Sequence, residues 1–119
     1  MTDYLWIAVG GAIGAMGRHG LTVWIGSHSF PWATLTVNML GALLIGIVVF
    51  GWERYGGTHT TDLLLRVGLC GGFTTFSSFS LDTWHLMEQG YWLTAIIYAT
   101  ASVAVCIAVL WLVRTALIG

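Results

Sequence analysis

"GLCGGFTTFSSFSLD", residues 68–82, sets a pair of glycines, a run of threonines and serines, and three phenylalanines in the middle of an otherwise oily chain. Gly71 and Gly72 are poor helix formers, and the hydroxyls of Thr74, Thr75, Ser77, Ser78 and Ser80 can bond freed carbonyls or face a cavity. The stretch therefore predicts a helix that breaks at its centre. In hydrocarbon, non-helical backbone persists only where protein buries it or where water and ions line it, so a break at mid-span points to a binding site. The competing reading is a kinked helix whose Ser and Thr bond back to their own turn, and this stretch alone leaves both open.

Composition says which solvent surrounds that stretch. Of 119 residues, 57% are hydrophobic and 8% charged, where a soluble domain carries about a quarter charged. The chain belongs to the membrane class. Its net charge of -1, with four Arg and no Lys, leaves no basic footprint for nucleic acid. Cys70 and Cys106 lie in apolar runs without metal or disulfide spacing and read as buried thiols. No basic segment precedes a small-residue cleavage site at the start, so the first apolar segment is expected to be retained.

Roughly 20 apolar residues cross a bilayer as helix, and four segments reach that length, at about residues 4–25, 31–52, 62–88 and 91–113, in one four-helix transmembrane domain over 1–119. Trp6, Trp24, Trp32, Trp52, Trp84, Trp92 and Trp111 fall near span ends, where an indole suits the headgroup region. Arg54, Arg66 and Arg114 lie on the side of both termini against Arg18 on the other, a slight bias towards cytoplasmic termini. So even a distribution also permits insertion both ways round. Gly10, Gly14 and Gly17, and Gly68 with Gly72, recur at the spacing that lets helices approach closely.

Phe73, Phe76 and Phe79 are three apart, so one aromatic face is expected along the third span. A phenyl ring has a positive edge, which attracts a dry anion mildly without trapping it. Asn38, in mid-span, needs a partner or a ligand, because an unpaired amide in hydrocarbon costs several kcal/mol. Tyr98, Ser102 and Cys106, four apart, are expected to share a face of the fourth span. Helix-to-helix hydrogen bonding explains Asn38 and Ser102 as well as transport does, and Arg18 suits either anchoring or anion attraction. Asp82, His85 and Glu88 share a helical face at a span end and read as a solvated terminus rather than a metal site. No nucleophile triad, metalloprotease or nucleotide motif is present, so no enzyme is expected.

Taken together, "GGAIGAMGRHG", "TLTVNMLGALLIG" and "GLCGGFTTFSSFSLD" closely resemble the small bacterial fluoride channel family, the CrcB or Fluc proteins, along the whole length. Departures are modest: His19 replaces a common Tyr, Leu69 and Ser78 replace Phe and Thr, and Asp82 replaces Glu. The resemblance implies an all-α membrane protein of four transmembrane helices with a broken third helix, inserted multi-pass in the bacterial plasma (inner) membrane. It further implies a dual-topology antiparallel homodimer with two pores for passive fluoride efflux, conferring fluoride resistance, and a structural sodium ion (Na+) at the dimer centre. By the same resemblance, carbonyls of Gly71 and Thr74 hold the sodium. Phe76 and Phe79 present ring edges to the pore, and Asn38, Thr75, Ser78, Tyr98 and Ser102 supply its polar track. Arg18 stands at the vestibule mouth, and Cys106 occupies a track position that often carries a hydroxyl.

Two rivals come from other classes. A small four-span drug/proton exchanger needs an ionisable carboxylate at mid-membrane, whereas Asp3, Glu53, Asp62, Asp82 and Glu88 all lie at or near span ends. A non-transporting assembly subunit would tolerate loss of Asn38 and the Phe stripe with only a stability change.

Overall fold

The computed structural model describes residues 1–119, and every regular element in it is helical. Helices α1 (Thr2–Ile25) and α2 (Trp32–Tyr55) have 24 residues each and α6 (Trp92–Leu117) has 26. At 1.5 Å per residue these are rods of about 36–39 Å, and the whole molecule measures 47 × 35 × 22 Å. Helices α2 and α6 are long and apolar enough to cross a membrane. Equally long, α1 is diluted by glycines, Arg18 and His19. Gly26 (φ 78°) and Gly56 (φ 85°) stop α1 and α2 in a backbone conformation that side chains disfavour.

Between α2 and α6 the chain is less regular. Thr58 and Thr61 exchange side-chain-to-backbone bonds at the start of α3 (His59–Thr61), a capping arrangement that supplies otherwise orphaned amides. A π-helical segment, Asp62–Cys70, continues into α4 (Gly71–Phe73). Then Thr74 (φ -82°, ψ 158°) and Thr75 (φ -150°, ψ 119°) are extended, and α5 (Phe76–Glu88) begins. Thr75 caps α5, its Oγ1 accepting the Ser78 N–H at 3.1 Å.

The helical winding thus stops at the two threonines, inside the stretch where the sequence expects a break. Gly71 is helical (φ -62°, ψ -39°), and so is Gly72. Gly72 serves close contact, whereas a Cβ on Gly71 would meet only the Arg66 carbonyl at 3.9 Å. A Cβ on Gly72 would lie 2.5 Å from the Gly11 carbonyl oxygen, and one on Gly14 would run into the Leu69 carbonyl. Helix α1 can therefore lie directly on the backbone of the π segment and α4.

Helix α2 packs along α6, and α5 crosses α6 over a small core of Leu86, Ala95 and Tyr98, flanked by Phe30, Leu35, Phe79 and Met87. Only 15 of the 119 residues are buried, so most large apolar side chains, including Trp24, Ile96, Ile107, Trp111 and Leu112, face outwards. Each such side chain gains about 1.5–3 kcal/mol on leaving water. That surface is therefore made for lipid or for another protein face.

Candidate functional site

A helix that stops for two residues must re-house the hydrogen bonds it drops. The largest share of that work falls to Asn38 on α2. Its Oδ1 accepts the Thr75 N–H at 2.9 Å and its Nδ2 donates to the Thr75 carbonyl at 3.0 Å, so one amide side chain splices both backbone groups of one extended residue. The partner that the sequence demanded for Asn38 is this backbone. A second Nδ2 proton and a second Oδ1 lone pair are left over.

Thr74 ends α4 by donating both its N–H (3.0 Å) and its Oγ1 hydrogen (2.9 Å) to the Cys70 carbonyl. Arg18 of α1 donates from Nε to the Gly72 carbonyl at 3.1 Å. Its guanidinium is thereby tied to the interruption rather than standing free. The amides that would close a continuous helix onto Gly71 and Thr74 are diverted, that of Thr75 to Asn38 and that of Ser78 to Thr75 Oγ1. The carbonyl oxygens of Gly71 and Thr74 are thus among those left without helical donors, and oxygen ligands of this kind suit a hard cation. The residues present fit a sodium ion, with further ligands required from elsewhere.

Beside the interruption runs an open groove of about 440 Å³ between α2, α6 and the segment from Arg66 to Phe79. Asn38, Thr75, Phe76, Phe79 and Ser102 line it, together with Gly71, Thr74 and Cys106. Phe76 is 79% exposed and lies 5.6 Å from Phe79, ring centre to ring centre, with a 50° tilt. Ser102, 6% exposed, has an Oγ with no hydrogen-bond partner. A buried hydroxyl left unpaired costs roughly 1–3 kcal/mol, and this one stands on the groove wall with its capacity to donate unused.

Three expected members stand apart. Phe73 does not share the face of Phe76 and Phe79: its ring lies against Gly17 of α1, because the two extended threonines reset the register between them. Tyr98 is fully buried and outside the groove, its Oη donating to Asp82 Oδ2 at 3.2 Å and its ring packed on Phe30 and Phe79. Steps of four residues drift by about 40° each, so Tyr98 turns away from the face that carries Ser102 and Cys106. Ser78 contributes its amide to the cap of α5 and does not line the groove either.

Reading residue types alone missed several participants. The methyl of Thr74 lies where a Cβ on Gly41 would sit, so that glycine makes room for the interruption; a small residue three positions after Asn38 was the available signal. Asp82 is tied to the core through Tyr98 rather than being only a solvated helix end. Arg66 reaches the groove, paired with Asp62 one turn earlier.

Comparison with known proteins adds a chemical identity to this geometry. Residues 5–114 match the family model described as "CrcB-like protein, Camphor Resistance (CrcB)". A protein of Magnetococcus marinus named "Fluoride-specific ion channel FluC" is 41% identical over 107 residues, covering 86% of each chain. Proteins with the same name from Methylocella silvestris (41% over 116 residues, covering 92% of this chain and 88% of the relative) and from a Roseiflexus species (44% over 106 residues, 86% of each) are similar to the same extent.

Proposed function

Since the chain belongs to the CrcB-like family, we propose that it is a fluoride-selective ion channel, a membrane protein and not an enzyme, that lets fluoride leave the cytoplasm passively. The likeness to relatives named as fluoride channels carries the choice of ion. The groove supplies the means. Fluoride is small and strongly hydrated, so a selective path replaces its water with hydrogen-bond donors, and several weak sites in series let it move on. Ser102 Oγ, the spare Nδ2 proton of Asn38 and the hydroxyl of Thr75 are such donors, with the rings of Phe76 and Phe79 beside them. Helix α5 starts at the interruption, so its positive end adds to the attraction. Ser78, Tyr98 and Arg18 stay in the proposed pathway as its continuation beyond the groove: Tyr98 through Asp82, Arg18 at the α1 side of the interruption.

In this reading residues 62–88 form one span, interrupted at Thr74 and Thr75, among four that cross the bacterial inner membrane. One copy leaves the groove open along its side, and an antiparallel second copy closes it, giving two pores per dimer. At the shared centre the carbonyls of Gly71 and Thr74 from both copies hold sodium, whose charge offsets carbonyls that no amide satisfies. A membrane potential negative inside is worth about 2.3 kcal/mol per unit charge per 100 mV, sufficient to drive fluoride out with no ATP site or proton carrier. Fluoride that enters as its neutral acid and ionises inside is removed this way, which is the basis of resistance. The test is anion efflux from liposomes holding the purified protein. Fluoride release many-fold above chloride is expected; equal release of both, or of neither, contradicts the assignment.

A further inference from the structure

Among the 15 residues that line the groove, one carries a formal charge: Arg66. It sits on the π segment, whose five-residue closure is made by the Gly71 N–H donating to the Arg66 carbonyl. That bond ties its backbone to the last turn before the interruption. The guanidinium is held in a two-pronged grip by Asp62, Nε to Oδ1 at 2.7 Å and Nη2 to Oδ2 at 2.8 Å. Both side chains stay partly open, 44% exposed for Arg66 and 27% for Asp62. Of the five N–H donors of an arginine, two are taken by this grip and three remain.

An exposed i,i+4 ion pair contributes little to stability, so stability is a poor reason for placing this one on the wall of a groove. Electrostatics is a better one. A fixed positive charge at an opening with apolar walls focuses its field and raises the local concentration of anions, and the effect decays over about 8–10 Å at ordinary salt. The carboxylate does two things to that field. It holds the guanidinium in one place, and it cancels part of the charge, so that an arriving anion is attracted but not retained.

We propose that Arg66 recruits fluoride to the groove and that Asp62 sets how much of its charge the anion meets. The inference rests on the channel reading above and adds to it a residue outside the donor track. Its test is fluoride efflux at sub-saturating fluoride from liposomes holding the wild type, Arg66→Gln, Arg66→Lys or Asp62→Asn, each at low ionic strength and again with added potassium glutamate. At low salt, Arg66→Gln should fall roughly three- to ten-fold, Arg66→Lys should keep most of the flux, and Asp62→Asn should rise roughly two-fold. At about 0.5 M salt these differences should shrink towards one. The ratio of fluoride to chloride should stay at the wild-type value throughout, since the donor track is intact. Arg66→Gln equal to wild type at low salt overturns the proposal. So does a loss that persists at high salt and is shared by Arg66→Lys, the mark of a structural role. A wild type that carries no fluoride overturns the channel reading itself, a result distinct from either.

Discussion

Residues 68–76 have two sides that differ in kind. Towards α1 the segment is backbone against backbone: Gly72 lies against Gly11 and Gly14 against Leu69, with no space for a methyl group. Towards α2 and α6 the segment lines an open groove through Gly71, Thr74, Thr75 and Phe76, with carbonyls lacking their helical amides and, on the facing α6, one buried hydroxyl lacking any partner. One side is over-determined and the other under-satisfied. Unpaired backbone in a membrane is tolerable when its neighbours hold it in one position, and the packed side provides that hold for the open one.

Substitutions on the two sides should therefore fail in different ways. The largest effect is expected from Gly14→Leu, which drives a side chain into the Leu69 carbonyl; overpacking of this kind costs about 3 kcal/mol or more, and size-exclusion chromatography in detergent should show aggregate or no protein. Next comes Asn38→Ala, which strands the Thr75 N–H and takes one of two donors from the Thr75 carbonyl, which still closes the first turn of α5. A stranded amide at about 1–3 kcal/mol should lower the thermal midpoint clearly, and fluoride flux should disappear with it.

On the open side, Phe76→Ile removes a ring that is mostly exposed, so thermal stability should hardly move while fluoride flux falls at least ten-fold. Ser102→Ala sharpens the contrast further. Deleting an unpartnered buried hydroxyl should leave stability unchanged or raise it by up to about 1 kcal/mol, yet flux should drop several-fold. A parallel loss of stability and flux in Ser102→Ala would mean that this hydroxyl serves packing. The smallest effect belongs to Arg18→Ala, which frees only the Gly72 carbonyl and should cost about 1 kcal/mol, read as a modest shift in thermal midpoint.

The same contrast explains what could be read from the sequence. Helix boundaries near residues 25 and 91 were legible because glycines, a proline and polar loops punctuate apolar runs, while α2 runs on to Tyr55, three residues past the expected 52. The need of Asn38 for a partner was legible from cost alone, but its partner, the backbone of Thr75, lies 37 residues away, and no local pattern points to it. Glycine signals both a bend and a close approach, and the chemistry of Gly72 does not say which; the answer lies in α1, which leans on it. Phe73 was grouped with Phe76 and Phe79 because a period of three presumes unbroken winding, and Thr74 and Thr75 remove that premise. The π winding of Asp62–Cys70 leaves no mark in "DLLLRVGLC", since its hydrophobic spacing suits an α-helix equally well. Arg66 was counted only towards membrane orientation, though its spacing from Asp62 already announced a pair.

The central claim is that the side chain of Asn38, by splicing the interruption at Thr75, holds open a donor-lined path for fluoride. Fluoride-electrode recording of efflux from liposomes containing Asn38→Asp beside the wild type tests it most directly. That change keeps the size and the acceptor, replaces the donor, and sets a negative charge beside the path. Flux at least a hundred-fold below wild type from protein that elutes at the same volume is the predicted result. Flux within two-fold of wild type would contradict the account.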